Sequence, residues 1–580
     1  MGIEKKIDQE KIVTHIVSSF EDWKYKRRKK EETWKDILNA YLTHIDEGKY
    51  QNYPWRSKVA DTFVQETADT IASALRGALF PITEDYFRVH GLDDIGLVYA
   101  DVMHDYLATL LDKSNFLGRI RPFLTQLTLF GNSCASIAWK VDKRVRKVRQ
   151  RIVDENGNIA INIRDVTEIL YDNFSFETLD IFDVVFDPSK IYIDQTPIIR
   201  RVIKHLAEIK EMSDVYKNIS QIENVTISTG DNIESQKAQM ATVFGLDYEP
   251  QKEGVELLEA YGDFIIDGEI FKDYIVTVAN RKTLLRFEPN PYWGGRPIIW
   301  GTYDPLWFTP YAKGPIEPIL GVYHLINTFT NQKADILNLI INGCFAYVDD
   351  GIIDPEKLIL RPGGFIEVGA LGNIQPLHPN ANVTLAFTEI ESLRRRGERS
   401  TGASTYELGA VPIGKRTAYE ANIIKQGSAT RFSDITRHIG NSVIEKTLNF
   451  YLDSVKQFKF GNGDIPDEAL LGQYRVEYLG ADLSAVKSYE TQQFMMFTDI
   501  IGRNPVFSQA INPTEYINEW RRLLGIKNKN ILKPTQAIEQ IGQTPEQGQV
   551  AEQEAVKQPS GGMGLTNPDL AMLRARGIIP

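Results

Sequence analysis

The run GAVPIGKRT, Gly409 to Thr417, comes closest in this 580-residue chain to a unit of chemistry. Gly409 and Gly414 are separated by four residues and followed by Lys415, the spacing with which a glycine loop wraps phosphate and a lysine reaches it. The hydroxyl residue that should follow the lysine to hold magnesium is missing, because Arg416 stands there. The preceding GASTYEL does not read as a buried strand, and no apolar strand ending in a magnesium-binding Asp stands out downstream. The run therefore reads as a mobile basic loop, with nucleotide hydrolysis or nucleic-acid cleavage through GKRT kept as the alternative. The eight histidines, among them His104, His324 and His438, show no i,i+4 pairing of the kind that binds zinc. Asp349-Asp350 precedes Gly351 and reads as a turn. No catalytic residue, metal site or cofactor is expected, and no Ser-His-Asp set can be argued from spacing.

The basic loop needs helices to position it. Upstream, a helix ends in Arg394, Arg395, Arg396 and Arg399; Gly402, Gly409, Pro412 and Gly414 then interrupt helical periodicity. Downstream, Phe432, Ile435, Ile439, Val443, Leu448, Leu452 and Val455 recur at steps of three to five, one stripe of a helix from about Ala418 to Phe458. Such a helix is about 60 Å long at 1.5 Å per residue. Gly427 and Gly440 inside it predict a kink or a close contact.

Elsewhere the pattern mixes helix and strand. Residues 3 to 47 read as a helix, with the charge run Lys24 to Glu32 as a solvated face. Val59, Phe63, Thr67, Ile71 and Leu75 mark a helix ending before Pro81. A hairpin turning at Asp154 to Asn158 carries Arg144, Arg146, Lys147, Arg149 and Arg151 on one strand, read as an edge guarded by charge, with a DNA or partner surface as the alternative. Residues 255 to 302 alternate as an antiparallel meander turning at Asp267-Gly268, with Trp293, Trp300 and Trp307 read as core and nucleotide stacking as the alternative. Ile316, Ile319, Tyr323, Ile326 and Ile340 give helical spacing after Pro315. Residues 343 to 381 change to short strand and turn signals, and the tail from Gln536 to Ser560 is too polar to order itself.

Composition narrows the class. The chain has 42% apolar and 25% charged residues and a net charge of −11, which argues against coating nucleic acid by charge alone but not against surrounding DNA without gripping it. Two cysteines, Cys134 and Cys344, support neither a disulfide framework nor a thiolate zinc site. The start MGIEKKIDQE lacks an apolar signal core, and ILNLIINGCFAYV is too short to span a bilayer, so a soluble cytoplasmic chain is expected.

Four blocks resemble the portal proteins of tailed bacteriophages, podovirus-like in type. They are Trp55 with a small-residue helix, Leu79-Phe80-Pro81 and Phe87-Arg88; Asp187-Pro188 and Asp194 before Arg201; Gly314 to Glu317, a Gly-Pro-x-Glu helix entrance; and the loop leading to Thr417-Ala418-Tyr419-Glu420. Tyr419 departs from the usual Thr of that family. The resemblance covers roughly residues 50 to 460. It implies an α+β portal fold: a wing (1–314), a first stem helix (315–342), a clip (343–381), a second stem helix (382–400), a tunnel loop (401–417), a long wing helix and following strand (418–479), a helical crown (480–535) and a largely disordered tail (536–580). It further implies a homo-oligomeric ring, usually a dodecamer, at one capsid vertex of the virion, assembled in the host cytoplasm. Its channel would pass double-stranded DNA in packaging, retain it, and release it at ejection. Its other partners would be terminase, tail adaptor proteins, and major capsid and scaffolding proteins, with no membrane insertion. The ATPase chemistry would belong to terminase, so this chain would not be an enzyme; a non-channel capsid or adaptor protein is a further alternative. On this reading Lys415 and Arg416 face DNA in the tunnel loop, and Arg394, Arg395, Arg396 and Arg399 lie on or near the stem helix approaching it. Pairing of those arginines with acids of neighbouring subunits is the competing reading.

Overall fold

The computed structural model describes residues 8–45, 56–81, 86–153, 159–226, 253–342, 344–348, 370, 374–377, 383–401, 432–480, 494–498, 516 and 520. Two compact units divide the chain, Met1–Val486 and Lys487–Pro580. In the second, Phe494 packs on Tyr516 and Trp520 at ring distances of 5.5 and 5.3 Å, and the Tyr516 hydroxyl donates to Thr498 Oγ1.

The first unit mixes helices with mainly antiparallel strands. In chain order its described elements are α1 (Gln9–Tyr41), α2 (Phe63–Leu79), β1 (Phe87–Gly91), α3 (Asp94–Lys113), α4 (Phe116–Phe130), β2 (Asn132–Ser136), β3 (Trp139–Val153), β4 (Ile159–Phe174), β5 (Glu177–Leu179), β6 (Val184–Val185), β7 (Ile198–Lys204), α5 (Leu206–Glu211), β8 (Val225–Thr226), β9 (Glu253–Ile266), β10 (Glu269–Ala279), β11 (Thr283–Pro289), β12 (Ile298–Thr302), β13 (Asp304–Pro305), β14 (Ala312–Lys313), α6 (Leu320–Asn342), β15 (Cys344–Tyr347), β16 (Ile374–Leu377), α7 (Val383–Thr401), α8 (432–458), α9 (Asp467–Leu471) and β17 (Tyr474–Tyr478). One sheet runs β11-β10-β9-β7-β6 with β8 added to β9, and a second runs β12-β2-β5. The others are two-stranded, β1 with β17, β3 with β4, β13 with β14 and β15 with β16. The expected meander holds from β9 to β11, turning at Asp267 and Gly268, both at positive φ as such a tight turn requires. β12 departs from it and pairs with β2.

Helix α1 bridges two cores. Ile12, Val13, Ile16 and Phe20 pack on the larger sheet with Leu258, Phe264 and Val276, while Trp34, Ile37 and Leu38 join Phe63, Phe130, Phe182 and Ile316. Between them lie Arg27 and Glu31, both buried, so the charge run Lys24 to Glu32 is not wholly a solvated face. Arg27 donates through Nε to Glu31 (2.9 Å), through Nη2 to Phe182 O (3.0 Å), and through Nη1 to Ile181 O and Val184 O, beside the Trp34 ring. An arginine can be buried here because carbonyls and a carboxylate take up its N–H groups.

A third core gathers α2, α3, α4, α8, β1 and β17 around Phe123, Leu127, Phe174 and Tyr451, the last two stacked at 4.0 Å. In α8 the residues Gly440–Glu445 form a π turn before the α-helix resumes at Lys446. A Cβ on Gly440 would lie 2.0 Å from Tyr478 Cε1, so the close contact expected there is with strand β17. Gly427 and the span 418–431 lie outside the described residues. The tryptophan cluster divides: Trp300 is buried against Phe186 and Tyr311, whereas Trp293 and Trp307 are 70% and 83% exposed. Val59 precedes α2 in an extended segment, a short 3₁₀ turn Glu317–Ile319 precedes α6, and Ile340 is exposed rather than part of its buried stripe. No described helix is long and apolar enough to cross a membrane.

Candidate functional site

The arginine-rich helix α7 is held where α2 and α6 meet. Residues 57–61 run extended along α6, whose polar side chains at four-residue intervals meet alternate backbone N–H groups. Ser57 N donates to Asp335 Oδ1 (2.6 Å), Val59 N to Asn331 Oδ1 (2.8 Å) and Asp61 N to Asn327 Oδ1 (2.8 Å). Asn331 Nδ2 donates back to Val59 O (3.0 Å). The two repeats match: four helical residues advance about 6.0 Å, and two extended residues about 6.6 Å.

Asp61 ends this strap and passes it to α7. Its Oδ1 accepts from Phe63 N (2.9 Å), and both its oxygens accept from Arg394 Nη2 (2.8 and 2.7 Å). The Arg394 guanidinium also sits 5.9 Å from the Phe63 ring. One turn on, a Cβ at Gly397 would lie 2.5 Å from Phe63 Cζ, so only glycine lets α7 approach α2 this closely. At the start of α6, Gly314 packs against Gly131, whose own added Cβ would meet Gly314 N at 2.3 Å, and Glu317 pairs with Lys30 at 2.7 Å. The Gly-Pro-x-Glu entrance is thus a packing device: a backbone crossing followed by an ion pair to α1.

The four arginines do not share one face. At about 100° per residue, Arg395, Arg396 and Arg399 share a face opposite Ile390, Leu393 and Gly397. They are exposed, whereas Arg394 is half-buried in its pair with Asp61. Arg395 reaches Glu391 of its own helix at 3.3 Å, an exposed i,i+4 pair of little energetic weight. Lys415 and Arg416, with the rest of 402–431, lie outside the described residues.

A second concave feature is a cleft of about 520 Å³ bordered by Asp194, Asp263, Arg296, Trp300, Glu445, Lys446 and Asp453. Arg296 spends its N–H groups on the carbonyls of Ile193, Asp194 and Thr196, and burial raises the Asp453 carboxyl above its usual range. Its carboxylates make it a poor receptor for phosphate. Burial also pushes the Cys134 thiol up to about 12, which suits a core residue rather than a nucleophile. Burial lowers His438, against opposing pulls from Asp434 and Asp304, and its Nε2 lies 2.9 Å from Thr302 Oγ1. Among the described residues no group of three or more His, Cys, Asp or Glu is placed to hold a metal.

What this arrangement offers is charge presentation: exposed guanidiniums on one face of a helix whose other face is clamped by Asp61, Phe63 and Gly397. Arg27 and Glu31, the buried pair that helps seat α1, carried a signal in their spacing, since they continue the stripe through Phe20 and Trp34.

No curated protein matches the chain. The family model described as the phage SU10 portal protein matches residues 141–461, more than half of the 580 residues, from within β3 to just beyond α8. The match takes in Asp187 to Arg201, Gly314 to Glu317 and Thr417 to Glu420, although not the Trp55 to Arg88 block. The chain therefore belongs to the phage SU10 portal protein family.

Proposed function

We propose that this portal-family chain works as one subunit of a closed ring, about twelvefold, at a capsid vertex. Double-stranded DNA enters, is retained and leaves through its channel, and terminase and tail adaptors dock on it without any chemistry by the ring itself. The observation that carries this reading is the family match over residues 141–461. In this reading α6 and α7 are the stem helices, the β15–β16 pair between them belongs to the clip, and Arg395, Arg396 and Arg399 are the stem cations available to DNA. Lys415 and Arg416 would supply the tunnel loop.

A sliding polyanion sets the electrostatic requirement. Each neutralised phosphate adds affinity and steepens the salt dependence. A net charge of −11 with few exposed cations on the stem suits a sleeve better than a clamp.

The purified chain imaged by negative-stain electron microscopy tests the assembly: rings with a central hole wide enough for duplex DNA are expected. Monomers that bind ATP would overturn it in favour of the GKRT loop as a nucleotide site. Rings or lattices without a DNA-sized hole would leave a capsid or adaptor role. Within rings, Lys415→Ala with Arg416→Ala is expected to shorten the packaged genome or loosen its retention; unchanged packaging would remove those residues from the channel.

A further inference from the structure

Among the described residues the β3–β4 hairpin is a two-stranded ribbon with no further strand beside it, paired from Trp139↔Phe174 to Val153↔Ile159. At its root Phe174 and Asn173 are buried, with half-buried Trp139 in ring contact with Phe174 and Asn173 Nδ2 donating to Leu110 O (2.8 Å). Beyond the root, residues 140–149, 163–165 and 167–170 are exposed. Cross-strand register puts Lys143, Val145, Lys147 and Arg149 on one face with Ile169, Thr167, Asp165 and Ile163. Val145, Ile163 and Ile169 are 62%, 58% and 56% exposed there. An isolated two-stranded ribbon is marginal in water, and β-branched residues held this far into solvent indicate a surface built to be covered. The strand is also unusual in charge: β3 carries seven Lys and Arg against one Asp, in a chain of net charge −11.

The same subunit bears a complementary uncovered surface. On α3 the exposed residues Asp94, Asp101, Asp105 and Asp112 recur at steps of seven, four and seven, which lines them along one face. Ile95, Leu97, Val98 and Val102 flank that line, and Leu97 and Val98 are 68% and 73% exposed. Asp94 to Asp112 spans about 27 Å of helix, and Lys143 to Arg149 about 20 Å of strand. Both are charged rows interleaved with aliphatic side chains, one basic and one acidic.

We propose that the basic face of the β3–β4 hairpin of one subunit docks on the acidic face of α3 in a neighbouring copy. The inference rests on the ring reading and names one of its contacts. Two different surfaces that bind each other head to tail generate a ring when the rotation closes, and opposite charge interleaved with aliphatic contacts sets both register and partner. DNA is the poorer occupant, because phosphate offers nothing to Val145, Ile163 and Ile169.

The test uses two full-length variants, Lys147→Glu with Arg149→Glu, and Asp101→Lys with Asp112→Lys. Like-charge juxtaposition at an interface costs several kcal/mol, so in sedimentation each variant alone should need at least about 100-fold more protein than the native chain to assemble. Mixed one to one, each reversed hairpin meets a reversed helix and each native hairpin a native helix. Alternating rings should form, which also proves both variants folded. Variants that each assemble like the native chain overturn the contact while leaving the ring intact. Failure of the mixture to assemble overturns the pairing of these two surfaces. Normal rings that lose only DNA retention make the hairpin a nucleic-acid surface instead. A native chain that forms no ring at any concentration defeats the ring reading itself.

Discussion

Replacing Arg27 by Met should be among the most damaging single changes in the chain. The guanidinium is fully buried and meets Glu31, itself only 5% exposed at its side chain, together with the carbonyls of Ile181, Phe182 and Val184. Methionine keeps much of the packing against Trp34 but leaves the Glu31 carboxylate without its cation. Breaking a buried pair from one side costs about 3–5 kcal/mol, and an orphaned buried carbonyl about 1–3 kcal/mol more. Relaxation and water entry recover part of this, so a loss of about 4 kcal/mol is expected, against a whole-domain stability of roughly 5–15 kcal/mol. Urea unfolding of subunits held too dilute to associate, followed by tryptophan fluorescence, measures it. The double variant Arg27→Met, Glu31→Leu removes both charges and should be more stable than Arg27→Met alone, because no charge is left uncompensated. A single-variant loss under about 1 kcal/mol, or a double variant no better than the single, would refute the account of this pair as a mutually dependent buried unit.

Other contacts give sharp expectations. Gly397→Val places branched carbon where a Cβ alone would already meet Phe63 Cζ at 2.5 Å; a loss of about 1–3 kcal/mol follows from overpacking, and Phe63→Leu should relieve part of it in the same unfolding assay. Asn331→Ala removes both the acceptor for Val59 N and the donor to Val59 O, so amide exchange at Val59 should accelerate while that of the α4 core is unchanged. His438 has its folded pKa below the ordinary histidine value, so the unfolded chain binds its proton first. The stability it contributes is complete above the unfolded pKa near 6.5 and is lost as pH falls below that value toward the folded one. Unfolding midpoints between pH 7.5 and 5.5 should fall less steeply in His438→Gln than in the native chain.

Much of the fold was legible because apolar period and glycine placement act locally. The α8 stripe is a case in point. Its one step of five, Val443 to Leu448, falls at the π turn Gly440–Glu445, where an extra residue in the turn keeps both side chains on the buried face. Gly440 signalled a close contact, but not that the partner would be Tyr478, almost forty residues on. The charge run of α1 misled because charge pattern alone reports solvation only when no distant carbonyls converge on the helix. The carbonyls of Ile181 to Val184 are about 150 residues away, and only the stripe through Phe20, Arg27, Glu31 and Trp34 hinted at burial. Trp293 and Trp307 escaped the core for a similar reason, since composition cannot say on which side of a turn an aromatic falls. At the candidate site, residue type alone groups Arg394 with Arg395, Arg396 and Arg399. The helical phase, 100° per residue, separates it from Arg395, Arg396 and Arg399, and its partner Asp61 lies at a sequence distance no spacing rule reaches.

The strap at residues 57–61 gives these separations a mechanical meaning. Asp61 is bonded at once to α6 through Asn327, to α2 through Phe63 N and to α7 through Arg394, so it joins three helices that distant parts of the sequence supply. Residues 402–431 then run between two fixed ends, α7 clamped by Gly397 on Phe63 and α8 clamped by Gly440 on Tyr478. The exposed cations Arg395, Arg396 and Arg399 sit on a helix whose opposite face packs against α2, and a displacement of α7 must strain the Gly397–Phe63 contact. In the proposed channel a sliding polyanion needs weak individual contacts at well-fixed positions, because affinity rises with every phosphate neutralised whereas positioning does not. In the proposed ring, adding cations to the face of Arg395, Arg396 and Arg399 is expected to tighten DNA retention and steepen its salt dependence, measured as DNA release against salt concentration.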